Sequence, residues 1–365
     1  MAQQNSQDYF VYVGTYTQGD SEGIYVYRLD GATGALEYSS KMTGVENPSF
    51  LEIHPSGQYL FAVNEVGEFE GEEDSGAVTA FYIHKETGEI SYLNQRATGG
   101  GAPCHMSVDA TGKCLLVANY GGGSVTAFPV GSDGRLGEAS DFVQHEGSSI
   151  NPQRQMEPHA HAIMIDPGNR YAFSPDLGLD KVLIYQLDAE NGTLTPNTQP
   201  WVRVQPGAGP RHFDFHPNGQ YAYVINEIDS TFTAFRYDAS AGTLAEFQTV
   251  STLPDDFDGT SHCADIHVHP SGKFLYGSNR GHDSIAICTI DSETGMLSPI
   301  GYESTQGQTP RNFGLNPEGT FLFAANQQTD TVVTFAIDAE TGELNATGAV
   351  AKVPTPVCLK LLPCA

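Results

Sequence analysis

Basic residues are scarce in this chain. Lys and Arg number 17 against 44 Asp and Glu, a formal net charge of −27 over 365 residues. So acidic a chain is repelled by phosphate backbones and anionic bilayers, so neither nucleic acid nor a membrane surface is an expected partner. No apolar run reaches the ~18 residues of a membrane-spanning helix. The opening MAQQNSQDYF has neither the basic nor the apolar region of a secretory signal, and a cytoplasmic location is expected. The six cysteines (104, 114, 263, 288, 358 and 364) form no C-x-x-C pair or other close ligand spacing. They read as small buried side chains rather than disulfides or metal ligands. No G-x-S-x-G elbow, P-loop or H-E-x-x-H motif is present, and no cofactor or metal is expected.

Turn residues, in contrast, are plentiful: 40 Gly and 21 Pro spread along the whole chain. They punctuate a repeat. PSFLEIHPSGQYLFAVNE (48–65), PCHMSVDATGKCLLVANY (103–120), PRHFDFHPNGQYAYVINE (210–227), CADIHVHPSGKFLYGSNR (263–280) and PRNFGLNPEGTFLFAANQ (310–327) are the same hairpin in the same register. AHAIMIDPGNRYAFSPDL (160–177) fits with Asn169 in the glycine place. A third strand follows each hairpin. Then comes a tight turn whose glycine recurs as Gly34, Gly88, Gly134, Gly192, Gly242, Gly295 and Gly342, a position that suits φ > 0. A fourth, more variable strand completes a unit a-b-c-d of roughly 50 residues.

Seven turns imply seven units. The first, starting at YFVYVGTYT, lacks strand a, and TPVCLKLLP (355–363) aligns with NPSFLEIHP (47–55) to supply it. A chain that completes its first sheet with its last strand is a closed ring. The expected fold is therefore all-β: a seven-bladed β-propeller of four antiparallel strands per blade, one domain over residues 1–365 with residues 1–8 flexible.

In such a ring the start of strand a and the end of strand b share one rim of the central channel. Residues recurring in every blade are architectural. Asn64, Asn119, Asp176, Asn226, Asn279 and Asn326 close six strands b, and their side chains are expected to bond turn backbone. The next position varies: Thr15, Glu65, Tyr120, Leu177, Glu227, Arg280 and Gln327. The start of strand a varies too, offering His105, His161, Arg211 and Arg311, with His159 and His262 just upstream. His161, Arg211, Glu227 and Arg280 are the candidate catalytic residues, and His159, Arg311, His105, Glu65 and His262 the candidate substrate-binding ones. Three of only ten arginines converge on this mouth. Arginine binds carboxylate or phosphate through its planar fork, and His or Glu moves a proton. An ion pair of purely structural value between Arg211 and Glu227 is the alternative. The acidic run EVGEFEGEEDSG (65–76) reads as a solvated loop, and the connector FVQHEGSSINPQRQMEPHAH (142–161) is placed to arch over the mouth.

NPQRQMEPHAH, GPRHFDFHPNGQYAYVINE, SHCADIHVHPSGKFLYGSNRG and TPRNFGLNPEGTFLFAAN resemble the seven-bladed β-propeller lactonase family. The likeness spans essentially the whole chain. The family takes in bacterial cycloisomerase-type 6-phosphogluconolactonase and is related to fungal carboxy-cis,cis-muconate cyclase. The site proposed in the muconate-cyclising members, one His, two Arg and one Glu, falls on His161 (or His159), Arg211, Glu227 and Arg280. The resemblance implies hydrolysis of 6-phospho-D-glucono-1,5-lactone to 6-phosphogluconate, a step of carbohydrate metabolism in the pentose phosphate pathway. The partner implied is a small anionic lactone, with the protein a monomer or weak homodimer. The competing readings are an enzyme for another lactone or a lactonising cycloisomerase, and a non-catalytic propeller that binds a partner.

Overall fold

A computed structural model describes residues 7–364. It contains seven four-stranded antiparallel sheets and no helix among the described residues. Six sheets run a-b-c-d in chain order; the seventh has Pro356–Pro363 beside Tyr9–Thr15, then Gly23–Leu29 and Leu36–Thr43. Tyr9 pairs with Pro363 and Gly14 with Cys358, so the closure by the final strand is present in the expected register. Of the stretch expected to be flexible, residues 1–6 lie outside the described residues. Gln7 donates to the Cys364 carbonyl (3.1 Å) and Asp8 pairs with Arg28 (3.1 Å).

Each strand follows from its burial. YFVYVGT is buried at all seven positions, because a second strand has a neighbouring blade against both faces and reads as a continuous apolar run. The outer strand LEYSSKMT is mostly exposed. Aromatic rings join the blades, as where Phe173 of blade 4 stacks on Phe213 of blade 5 at 5.4 Å.

The recurring turn glycines serve two ends. All seven have φ between 62° and 77°, a region that costs an L-residue energy. Six also press on an aromatic ring that opens strand b of the preceding blade. A Cβ on Gly295 would stand 2.5 Å from the Tyr221 ring, and one on Gly34 would stand 2.9 Å from Phe321, across the ring closure. Asn169 adopts φ 55° in the place of glycine. The closing Asn residues reach backbone in several blades: Asn64 donates to the Glu46 carbonyl, Asn279 to Thr252 and Asn326 to Thr305. Those of Asn119 and Asn226 donate to strand-c hydroxyls instead.

One irregularity shapes the channel. The register between strands a and b slips near the start of strand a in five blades. In blades 3, 5 and 7 Pro103 faces Asn119 but His105 faces Ala118, and Pro210–Asn226 and Pro310–Asn326 are followed by the same slip, while blades 1 and 6 shift near Cys358 and after Cys263. In blades 3, 5 and 7 the slip is the same single residue. The bulged residues are Cys104, Arg211 and Arg311. A bulge re-aims a side chain; here Cys104 and Arg311 line the mouth and Arg211 lies just behind its wall. The residues after them, His105, His212 and Asn312, line a cavity of about 70 Å³ farther down the channel.

Candidate active site

The mouth holds a pocket of about 340 Å³ with Glu65, Cys104, Tyr120, Arg154, His161, Glu227, His262, Arg280 and Arg311 on its wall. Glu227 is its centre. The residue is 5% exposed. Its Oε2 accepts Arg211 Nε at 3.0 Å and lies 2.9 Å from Arg280 Nη2, while Oε1 accepts Arg154 Nη2 at 2.6 Å. Burial alone pushes this carboxyl up, but Arg280, Arg211 and Arg154 outweigh it and hold the group well below the usual carboxylate range. Glu227 is thus a fixed anion that orients guanidinium groups. Arg211, 2% exposed, lies behind Glu227 and also donates to the Ala264 carbonyl. Arg280 donates to the Cys263 carbonyl at 2.7 Å and faces the pocket.

His161 stands 3.9 Å from Glu227 through Nε2 and 3.6 Å from Cys104 Sγ through Nδ1. Burial, then the charges of Arg211, His212 and Arg311, push its pKa well below 6.5. The imidazole is therefore neutral at neutral pH and able to accept a proton. Burial pushes the Cys104 thiol up, away from thiolate.

The opposite wall differs. Glu65 accepts the Tyr16 hydroxyl at 2.9 Å and the Ser49 hydroxyl. Arg311 sits 5.4 Å over the Tyr16 ring and has no hydrogen bond or ion pair among the described residues. His262 lines the same pocket, and its buried Nδ1 has no partner. His159 stands outside the wall, stacked on Tyr120 at 4.5 Å and donating to its carbonyl. His105 does not reach the mouth: it follows the bulged Cys104 and packs lower in the channel, 5.1 Å from the His212 ring and 4.2 Å from Phe50. Residues 65–76 form the second blade's b–c loop, with a small exposed hairpin pairing Glu68–Phe69 with Glu72–Glu73.

Three wall residues were not among the sequence candidates: Cys104, which the sequence reading took as a small buried side chain, Arg154 and Tyr120. Arg154 comes from the long connector, which does reach over the mouth. It is held there by its neighbour Gln155, whose Nε2 donates to the Leu177 carbonyl at 2.8 Å and to Asp180 Oδ1 at 2.7 Å. Asp180 also accepts the amides of Gly207 and Gly209, so one buried carboxylate ties the connector to the segment leading into Arg211. Tyr120, whose hydroxyl accepts Arg154 Nη2 at 3.3 Å, occupies the variable position after strand b but carries no charge to draw notice.

A seven-bladed propeller whose mouth sets three arginines on a buried carboxylate beside a buried histidine is a lactonase of propeller type. Residues 10–361 match the model of the lactonase family described as a 7-bladed β-propeller, and the chain belongs to that family. It is 39% identical to the 6-phosphogluconolactonase of Bacillus subtilis over 97% of this chain and 98% of the relative. Identity to the 6-phosphogluconolactonase of Formosa agariphila is 35%, over 84% and 86%. Among solved structures, the periplasmic gluconolactonase of Pseudomonas aeruginosa superposes with a TM-score of 0.92 at 33% identity, covering 98% of this chain and 100% of that one. Since one relative is periplasmic, family membership does not carry the cytoplasmic expectation with it.

Proposed function

We propose that the protein hydrolyses a sugar-acid lactone, with 6-phospho-D-glucono-1,5-lactone as substrate and 6-phosphogluconate as product. The observation that carries this reading is the buried His161 on the pocket wall, 3.9 Å from Glu227 and beside the arginines that Glu227 fixes. His161 takes a proton from water as its oxygen attacks the lactone carbonyl. Arg280 and Arg154 face the pocket and stabilise the negative charge that develops on the carbonyl oxygen. Arg211 and Glu227 act as positioning residues for that charge. The ring C–O bond then breaks, and the ring oxygen takes the proton back from His161. The product acid ionises and releases one proton.

Support comes from the two 6-phosphogluconolactonases above, aligned over most of their length. The test is lactone consumption by purified protein, followed by NMR against spontaneous hydrolysis. Acceleration that His161→Asn abolishes is expected; decay at the spontaneous rate would refute the reading.

A further inference from the structure

The pocket is electrostatically two-sided. Three of its arginines are committed to Glu227. Arg311 feels the charges of Glu65 and Glu227 but makes no hydrogen bond or ion pair among the described residues, and its guanidinium lies over the face of Tyr16. A guanidinium held in place with all its donors free is a preformed seat for an oxyanion. A second polar side chain stands on the same wall: His262, from the adjacent blade, lines the pocket with part of its ring and can offer a ring N–H to a ligand oxygen. Next to them, Glu65 is oriented by Tyr16 and Ser49 and presents acceptors suited to hydroxyl groups.

We infer that Arg311 and His262 form a phosphoryl seat, with Glu65 reading the adjacent hydroxyls, so that the enzyme selects phosphorylated over unphosphorylated sugar lactones. This rests on the lactonase reading and assigns that substrate's phosphate to a wall separate from the Glu227 cluster. The lactone ring then lies toward His161 and the phosphate toward blades 6 and 7. A phosphate monoester uses more donors than one arginine fork supplies, which gives His262 its place beside Arg311.

The assignment is tested by kcat/KM for 6-phosphogluconolactone and for glucono-1,5-lactone in wild type, Arg311→Gln and Arg311→Lys, with thermal melts to establish folding. Arg311→Gln is expected to lower the phosphorylated value about tenfold or more beyond its effect on the unphosphorylated one, which also reports the loss of a charge near His161. Lys, which keeps charge but loses the fork, recovers part. Equal loss on both substrates, or no loss on the phosphorylated one, overturns the inference. Calorimetric binding of 6-phosphogluconate and of gluconate provides a readout independent of turnover. A preference for 6-phosphogluconate that vanishes in Arg311→Gln supports the seat even if neither lactone is hydrolysed, a result that would sink the lactonase reading alone. No such preference in wild type overturns the seat.

Discussion

Glu227 and His161 lie 3.9 Å apart, and their charge states assign them different work. A carboxylate held by three arginines is a weak base, whereas a buried neutral imidazole is an available one. His161→Asn should lower kcat by about 10²–10⁴ with an unchanged melting temperature. Glu227→Gln should act differently. It leaves buried guanidinium groups without their counter-charge, so activity and stability should fall together, the latter by about 3–5 kcal/mol. An inactive Glu227→Gln protein that melts like wild type would instead make Glu227 the base. The pH profile gives a further check. His161 must be unprotonated, and burial with Arg211 places its folded pKa well below 6.5. Background-corrected kcat/KM should therefore be level from pH 8 down through 6.5 and fall only under it, as protonation removes the base; an acid limb centred at or above 6.5 would contradict this assignment. At this scale the sequence was informative wherever a residue departs from its own repeat, as Glu227 and Arg280 do. It was silent on Arg154, whose connector has no counterpart in other blades to serve as a reference.

The element that builds the ring is the hairpin with its turn glycine. Gly295 and Gly301 lie in the same blade and separate the two demands on glycine. Gly295 combines φ 73° with a Cβ position 2.5 Å from Tyr221; Gly301 has open space around it. Gly295→Ala should cost about 2 kcal/mol or more, visible as a lower melting temperature. Gly301→Ala should change little, and equal effects from the two would show that the glycine–aromatic contact is unimportant. The hairpins, turns and closing strand could be read from the sequence because period-2 alternation and glycine punctuation repeat in register. The bulges at Cys104, Arg211 and Arg311 could not. A slip of one residue leaves no mark in the alternation, yet it decides that Arg311 reaches the mouth and His105 does not. The turn role expected of the closing Asn residues held at Asn64, Asn279 and Asn326, where connector carbonyls come close. It gave way at Asn119 and Asn226, where hydroxyls on strand c lie nearer.

For the whole molecule, the local and global charges are opposed. Four arginines and two glutamates line or underlie the pocket, inside a chain of net charge −27. An approaching anion meets the global repulsion first and the local attraction last. Salt shortens the screening length from ~30 Å at 0.01 M to ~8 Å at 0.15 M, removing the former more completely than the latter. KM for a phosphorylated lactone should therefore fall on raising NaCl from ~10 to ~150 mM, with KM for glucono-1,5-lactone nearly constant; a KM that climbs with salt would show that the local field dominates at all distances. Ring closure has a consequence for how the molecule is born. The strand that seals blade 1, Pro356–Pro363, pairs with Tyr9–Thr15, a partner made before every other blade. A nascent chain already carries Glu65, His161, Glu227 and Arg311 while that last strand is still inside the ribosome. Until it emerges, the first-made strand presents an unpaired edge to the crowded surroundings. The order of synthesis thus sets a waiting period in which the chain has all of its chemistry and no ring to hold it, and the rate of translation through the last blade fixes how long that exposure lasts.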